Sequence, residues 1–230
     1  MNKINLIQYL IEGIKKNNQL RIGVEHEKFL FNKEDLKRID FNQIKKVFEI
    51  LKNNGWKPEL EKNKVIGLKR DNQKITTEPG FQYELSGAPF KNIHSVCSEN
   101  SRHFDELKQV FSLVGITTSS IAYDPFNKLN EIPRSPKERY KIMTSEMPKG
   151  GELSLDMMYK TAGIQINYDY TSEEDFEKKF KIDWNNFAII FESSWNPFGI
   201  FLLTTISESI RFRILVRESR TNVFLALQDA

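Results

Sequence analysis

One cysteine, Cys97, is all the thiol chemistry this 230-residue chain has. No intramolecular disulfide can form, which fits a reducing compartment and leads us to expect a cytosolic protein. Histidine is scarce too: His94 and His103 are nine residues apart, no i,i+4 pair exists, and a zinc site of the usual spacing is not expected. Glycine (11) and proline (8) are modest beside 17 phenylalanines, which argues against a disordered chain. No apolar run approaches the ~18 residues of a membrane span, and the opening MNKINLIQYLIEGIKK lacks the long apolar centre of a secretion signal. Neither sign of charge dominates. With 34 basic against 31 acidic residues and no basic block, a nucleic-acid partner is not expected, nor is a membrane. Gly-rich phosphate loops and a Ser–His nucleophile arrangement are also missing. Any nucleotide use would have to come through carboxylate-held metal and not a phosphate loop, and no catalytic nucleophile is expected.

What is present is organised around Arg21–Phe31, RIGVEHEKFLF. Apolar and polar residues alternate, the period of a strand. Gly23, Glu25, Glu27 and Phe29 share one face; Ile22, Val24 and Leu30 share the other, with His26 and Lys28 among them. Two carboxylates on one face repel each other, and enclosure adds a desolvation cost. A divalent cation such as Mg²⁺, which takes hard oxygen ligands, removes both penalties. A solvated strand face is the plainer alternative. In Lys74–Gly87, KITTEPGFQYELSG, Glu78 and Glu84 are six apart and would share a face on an unbroken strand; Pro79-Gly80 can bulge it and break that parity. Four carboxylates would then approach one point.

Other segments read as packing. Ile4–Lys16 has helical apolar spacing. Asp40 with Gln43 looks like a capping box before a helix carrying Ile44, Val47, Phe48 and Leu51, and Gly55 can end that helix. Lys64–Arg70 reads as a strand paired with Ile75–Leu85 across an Asp71-Asn72 turn. Phe90–Val114 is the longest helical pattern, and its stripe includes Cys97, which is therefore expected to be buried. Ser135 is placed to cap a short helix through Arg139 and Tyr140. In Ala162–Tyr170, Gln165 and Asn167 face one way with Thr161 in register. That polar face is either solvated or lines a pocket for a polar ligand.

Three stretches, IGVEHEKFLF, ITTEPGFQYELSGAP and RYKIMTSEMPKGGELSLDMMYKTAGIQINYDY, occur in the order seen in the glutamate–cysteine ligases of the plant and proteobacterial type, which this chain resembles. The resemblance implies an α+β fold: a largely antiparallel curved sheet with outer helices, akin to the catalytic domain of glutamine synthetase. It implies ATP-dependent joining of the glutamate γ-carboxylate to the amine of cysteine through an acyl phosphate. Glu25, Glu27, Glu78 and Glu84 would be Mg²⁺ ligands; Arg139, Tyr140, Thr161, Gln165 and Asn167 would face the substrates glutamate, cysteine and ATP. The resemblance favours the pocket reading of the amide face. It covers 1–198, ending near Asn196-Pro197-Phe198, while residues 199–230 match nothing in the family pattern and suggest truncation or a frameshift. A tail of that kind would leave sheet edges unpaired. The alternatives are a non-catalytic remnant that keeps the carboxylate half-site, or a related ligase with another acceptor amine.

Overall fold

The computed structural model describes residues 3–119, 121–180, 201–206 and 210–215, with side chains over 7–119 and 121–180. The fold is α+β. Among the described residues nine strands form one antiparallel sheet, eight of them in the order β2 (Lys57–Glu61), β3 (Lys64–Arg70), β4 (Gln73–Thr77), β5 (Tyr83–Ser86), β1 (Ile22–Asn32), β7 (Ile164–Tyr168), β9 (Ile210–Leu215), β8 (Phe201–Ile206). The ninth, β6 (Ile116–Ser119), pairs with the far end of β1. The helices are α1 (Lys3–Glu12), α2 (Phe41–Asn53), α3 (Ile93–Val114), α4 (Glu138–Glu146), α5 (Ser154–Lys160) and α6 (173–180).

The even-numbered side chains of β1 explain where the helices sit. Leu30 joins Leu68, Ile75, Tyr83 and Leu85 on one sheet face, and α2 and α3 close over them. In α2 the buried residues Ile44, Val47, Phe48 and Leu51 are spaced as a single stripe. Burying each contributes about 1.5–3 kcal/mol. Asp40 accepts hydrogen bonds from the Asn42 and Gln43 amides, and Gln43 reaches back to the Asp40 amide, so the capping box is real. Gly55 follows in a left-handed conformation (φ 89°). The odd-numbered face of β1 is different: Phe29 and Phe31 close one end of it with Ala162, and the rest is polar.

Several expectations need correction. Ile75–Leu85 is not one strand. The turn Glu78–Gln82 folds it into β4 and β5, with Glu78 N–H bonded to Gln82 O and Phe81 N–H to Glu78 O. Phe81 sits at φ 58°, a conformation that costs an L residue energy, and its fully buried ring in the main core holds it there. Gly80 is required because a Cβ there would stand 2.8 Å from Tyr159 O. On α3 the buried set is Val96, Glu99, His103, Leu107, Val110 and Phe111, so the helix is rotated from the expected stripe. Cys97 is therefore exposed rather than buried, and His103 is buried. Ser135 does not cap α4. Lys137 occupies that position with no side-chain cap bond, and the buried Ser135 hydroxyl has no partner among the described residues. Neither β2 nor α5 stood out in the sequence. Strands β8 and β9 lie in the segment after 198: β9 pairs with β7 and β8 with β9, so that edge of β7 is covered. The Asn196-Pro197-Phe198 segment lies outside the described residues.

Candidate functional site

The strand registers set the site. Glu27 pairs with Glu84 across β1 and β5, and Glu25 sits between Ser86 of β5 and Gln165 of β7. Directly opposed residues in an antiparallel sheet project to the same face. Glu25, Glu27 and Glu84 therefore share one face with Thr76 of β4 and with Gln165 and Asn167 of β7. In the outer ladder the register positions opposite Gln165 and Asn167 are Arg213 and Arg211.

Glu78 arrives by another route. On an unbroken strand it would lie about 20 Å along the chain from Glu84. The turn brings it back beside β5. Burial, and then the charges of Glu78, Glu27 and Glu25, push the Glu84 carboxyl up to about 8. Glu84 therefore feels the other three carboxylates. Among the described residues, however, no group of three or more acidic, His or Cys side chains is arranged around a single ion position.

Each carboxylate is anchored. Glu84 accepts from Ser86 Oγ (2.8 Å), and Glu27 accepts from the Gly163 amide (2.9 Å). Asn167 Nδ2 donates to Glu25 at 3.3 Å, while Asn167 Oδ1 is buried with no partner among the described residues. Tyr140 donates its hydroxyl proton to Glu78 (3.1 Å), and Arg139 donates to the Tyr140 oxygen (2.6 Å) with its Nη2 at 3.6 Å from Glu78. Burial and the Glu78 charge raise the Tyr140 phenol far above its ordinary value, so it stays a donor. Lys137, buried, donates to Thr77 O at 2.8 Å at the root of the same turn.

A cavity of about 190 Å³ opens beside Glu78, lined by Arg139, Tyr140, Met143, Met157, Met158 and Thr161 among others. The structure thus joins Glu78, Arg139, Tyr140 and Thr161 at one cavity, and Glu25, Glu27, Glu84, Gln165 and Asn167 on the adjoining sheet face. Thr161 spends its hydroxyl proton on Met157 O (2.6 Å).

Sequence reasoning passed over Lys28. On the helix side of β1, directly behind the acidic face, its ammonium stands 4.8 Å from the Phe104 ring centroid. Burial lowers the amine to about 7, against the pull of Glu84 and Glu27. Its neighbour His26 is lowered to about 3 by burial, Lys28 and His103, so it is a neutral imidazole at physiological pH. The available signal was a charged residue at an inward position of an otherwise apolar strand face.

An α+β domain whose antiparallel sheet buries one face under helices and gathers carboxylates and amides on the other defines a class: an open, carboxylate-lined sheet. The comparisons with known proteins give the particular family. Residues 21–183 match glutamate-cysteine ligase family 2 (GCS2). Glutamate–cysteine ligase A, chloroplastic, from Oryza sativa subsp. japonica is 42% identical over 182 residues, covering 79% of this chain and 37% of the relative. The chloroplastic enzymes of Medicago truncatula and Arabidopsis thaliana are each 41% identical over 182 residues, again 79% of this chain and 36% and 35% of theirs. The chain belongs to glutamate-cysteine ligase family 2. It spans little more than a third of the length of the relatives it matches.

The relatives also overturn the cytosolic expectation, since they are chloroplastic proteins. A lone cysteine argues against an oxidising compartment and does not separate one reducing compartment from another. No helix among the described residues is long and apolar enough to cross a membrane.

Proposed function

We propose that this chain carries the metal- and substrate-binding sheet of an ATP-dependent ligase that joins the γ-carboxylate of glutamate to the amine of cysteine, forming γ-glutamylcysteine, the first step of glutathione biosynthesis. The observation that carries this reading is the pairing of Glu27 with Glu84 on a face that also holds Glu25, with Glu78 turned towards it until Glu84 resists ionisation. Glu25, Glu27, Glu78 and Glu84 would hold Mg²⁺ as hard oxygen donors that converge only with the ion and phosphate in place, since among the described residues no three of them surround one ion position. The ion, when bound, neutralises the carboxylates and the phosphate oxygens of ATP.

The chain's own groups do the rest. Tyr140 and Arg139 fix the Glu78 carboxylate and offer donors to a carboxylate or phosphate in the adjoining cavity. Asn167 Oδ1, buried and with no partner among the described residues, would accept from an ammonium or amide, and Gln165 stands beside Glu25 to do the same. Thr161 shapes the cavity wall. No side chain has to act as nucleophile: the glutamate γ-carboxylate takes the terminal phosphoryl group, the cysteine amine displaces phosphate, and positioning and charge supply the catalysis. We assign 1–198 to the ligase-like catalytic domain and leave 199–230 as a distinct tail. Its strands β8 and β9 add to the sheet.

The test is calorimetric titration of the chain with Mg²⁺ and Mg²⁺-ATP, together with ADP release in the presence of glutamate and cysteine. Wild type should bind, and Glu25→Gln or Glu84→Gln should weaken Mg²⁺ at least about tenfold while the fold is kept. Equal Mg²⁺ affinity in wild type and both variants would sink the ligand assignment. Binding without γ-glutamylcysteine would mark the chain as a binding half-site; ADP release with another amine would change the acceptor and keep the chemistry.

A further inference from the structure

Arg38 has no part in the chemistry above, yet its side chain and that of Asp124 are both fully enclosed. Its guanidinium reaches three separate segments. Nη2 donates to Gly80 O, and Nη1 donates to Tyr159 O (3.3 Å) and to Asp124 Oδ2 (3.3 Å). Its plane lies over the Phe29 ring, 4.5 Å from Cζ to the centroid. Asp124 is fixed in turn by the amides of Phe126 (2.9 Å) and Asn127 (3.2 Å), and Asn127 Oδ1 accepts from the Arg38 amide (3.3 Å).

Two of those three segments are walls of the candidate site. Gly80 belongs to the turn that starts at Glu78. Tyr159 lies in the last turn of the helix that supplies Met157 and Met158 to the cavity beside Glu78. A buried ion pair is weak evidence for stability, because apolar residues of similar volume often do as well. Its planar fork does what an apolar side chain cannot: it sets the separation of two backbone carbonyls.

We infer that Arg38, held in place by Asp124, is a positioning residue that fixes the Glu78–Gln82 turn against α5, and that the Mg²⁺ affinity of the carboxylate face depends on it. This inference rests on the reading of that face as a Mg²⁺ site. Arg38 touches no substrate and acts only through Glu78.

Three full-length chains test it: wild type, Arg38→Lys, and the double variant Arg38→Met/Asp124→Asn, which removes both buried charges together and so avoids stranding one. Mg²⁺ is titrated into each by calorimetry, and amide hydrogen exchange is followed without metal. The expected result for the double variant is a Mg²⁺ dissociation constant raised about 10- to 100-fold, the usual effect of losing an outer partner of a metal ligand. Exchange should quicken at Gly80 and at Ser135, whose amide bonds to Pro79 O, and stay unchanged along the β1–β5 ladder. A general loss of stability would instead quicken both. Arg38→Lys keeps a cation opposite Asp124 without the planar fork and should fall between the two; if the double variant does not fold, the comparison of Arg38→Lys with wild type decides. A wild-type chain that takes up no Mg²⁺ overturns the reading of the face and this inference with it. A wild-type chain that binds, beside variants that bind equally well, overturns the role of Arg38 alone.

Discussion

Replacing Glu84 by Gln should make the metal-free protein more stable, and by an amount that depends on pH. In the folded chain, burial and three neighbouring carboxylates hold the Glu84 carboxyl at about 8, against an ordinary value of 4.5. The folded state therefore keeps a proton that the unfolded state gives up. Where the native state binds more protons, stability falls as pH rises. The penalty is absent below pH 4.5, grows by about 1.4 kcal/mol per pH unit between 4.5 and 8, and levels off above 8. At pH 7 that amounts to about 3 kcal/mol. Gln has the same shape, carries no charge and titrates nowhere in this range. Glu84→Gln should match wild type near pH 4 and exceed it by about 3 kcal/mol at pH 7. Urea unfolding in the presence of a chelator, followed by tryptophan fluorescence at pH 4 to 8, measures the difference directly. Parallel stability curves for the two proteins would show that the carboxylates do not crowd Glu84, and the argument for a shared cation would fall with them.

Two further outcomes follow from geometry. Glu106 accepts two hydrogen bonds from Arg70 (3.0 and 3.2 Å) and lies 3.2 Å from Trp56 Nε1. Burial works against its charge, yet His103, whose Nδ1 stands 3.6 Å away, and the hydrogen bonds from Arg70 and Trp56 hold the carboxyl at about 2. Its contribution is complete above pH 4.5 and is lost as pH falls through 2. Glu106→Gln should lower stability by about 1–3 kcal/mol at pH 7 and flatten the acid limb, as read from unfolding at pH 2 to 5. An unchanged acid limb would refute the assignment. Cys97 is exposed, so a maleimide should label the native chain once without denaturant; labelling that requires urea would put it back in the core.

How far the sequence disclosed this depended on the range of the interaction. The capping box at Asp40, the left-handed Gly55 and the alternation of β1 are set by residues within a few positions of each other, and all three stand in the structure. The same alternation placed Glu25 and Glu27 on one face. The phase of α3 was misread because Glu99 and His103 are buried through partners far along the chain. Glu99 accepts from Gln73 and the Ala88 amide, and His103 stacks on Tyr83. Periodicity counts apolar residues and cannot see a polar residue with such partners. Arg38 was silent for the same reason: Asp124 and Tyr159 are 86 and 121 positions away, and nothing local marks an arginine as buried. Glu78 was placed beside Glu84 by parity, whereas the turn at Pro79-Gly80, which breaks that parity, is what brings them near.

The position of β1 between β5 and β7 also fixes when the acidic face comes into being. Glu27 meets Glu84 across 57 residues (84 − 27), while Glu25 meets Gln165 across 140 (165 − 25). Closing the longer span from an open chain carries about 0.8 kcal/mol more entropy loss than closing the shorter, and non-local pairings of this kind are the slow ones. During synthesis the opposed glutamates are available once β5 has emerged, well before the amides of β7 exist to flank them. The growing chain must therefore carry this opposed pair of glutamates through the interval in which the β7 side of their surroundings has not yet been made.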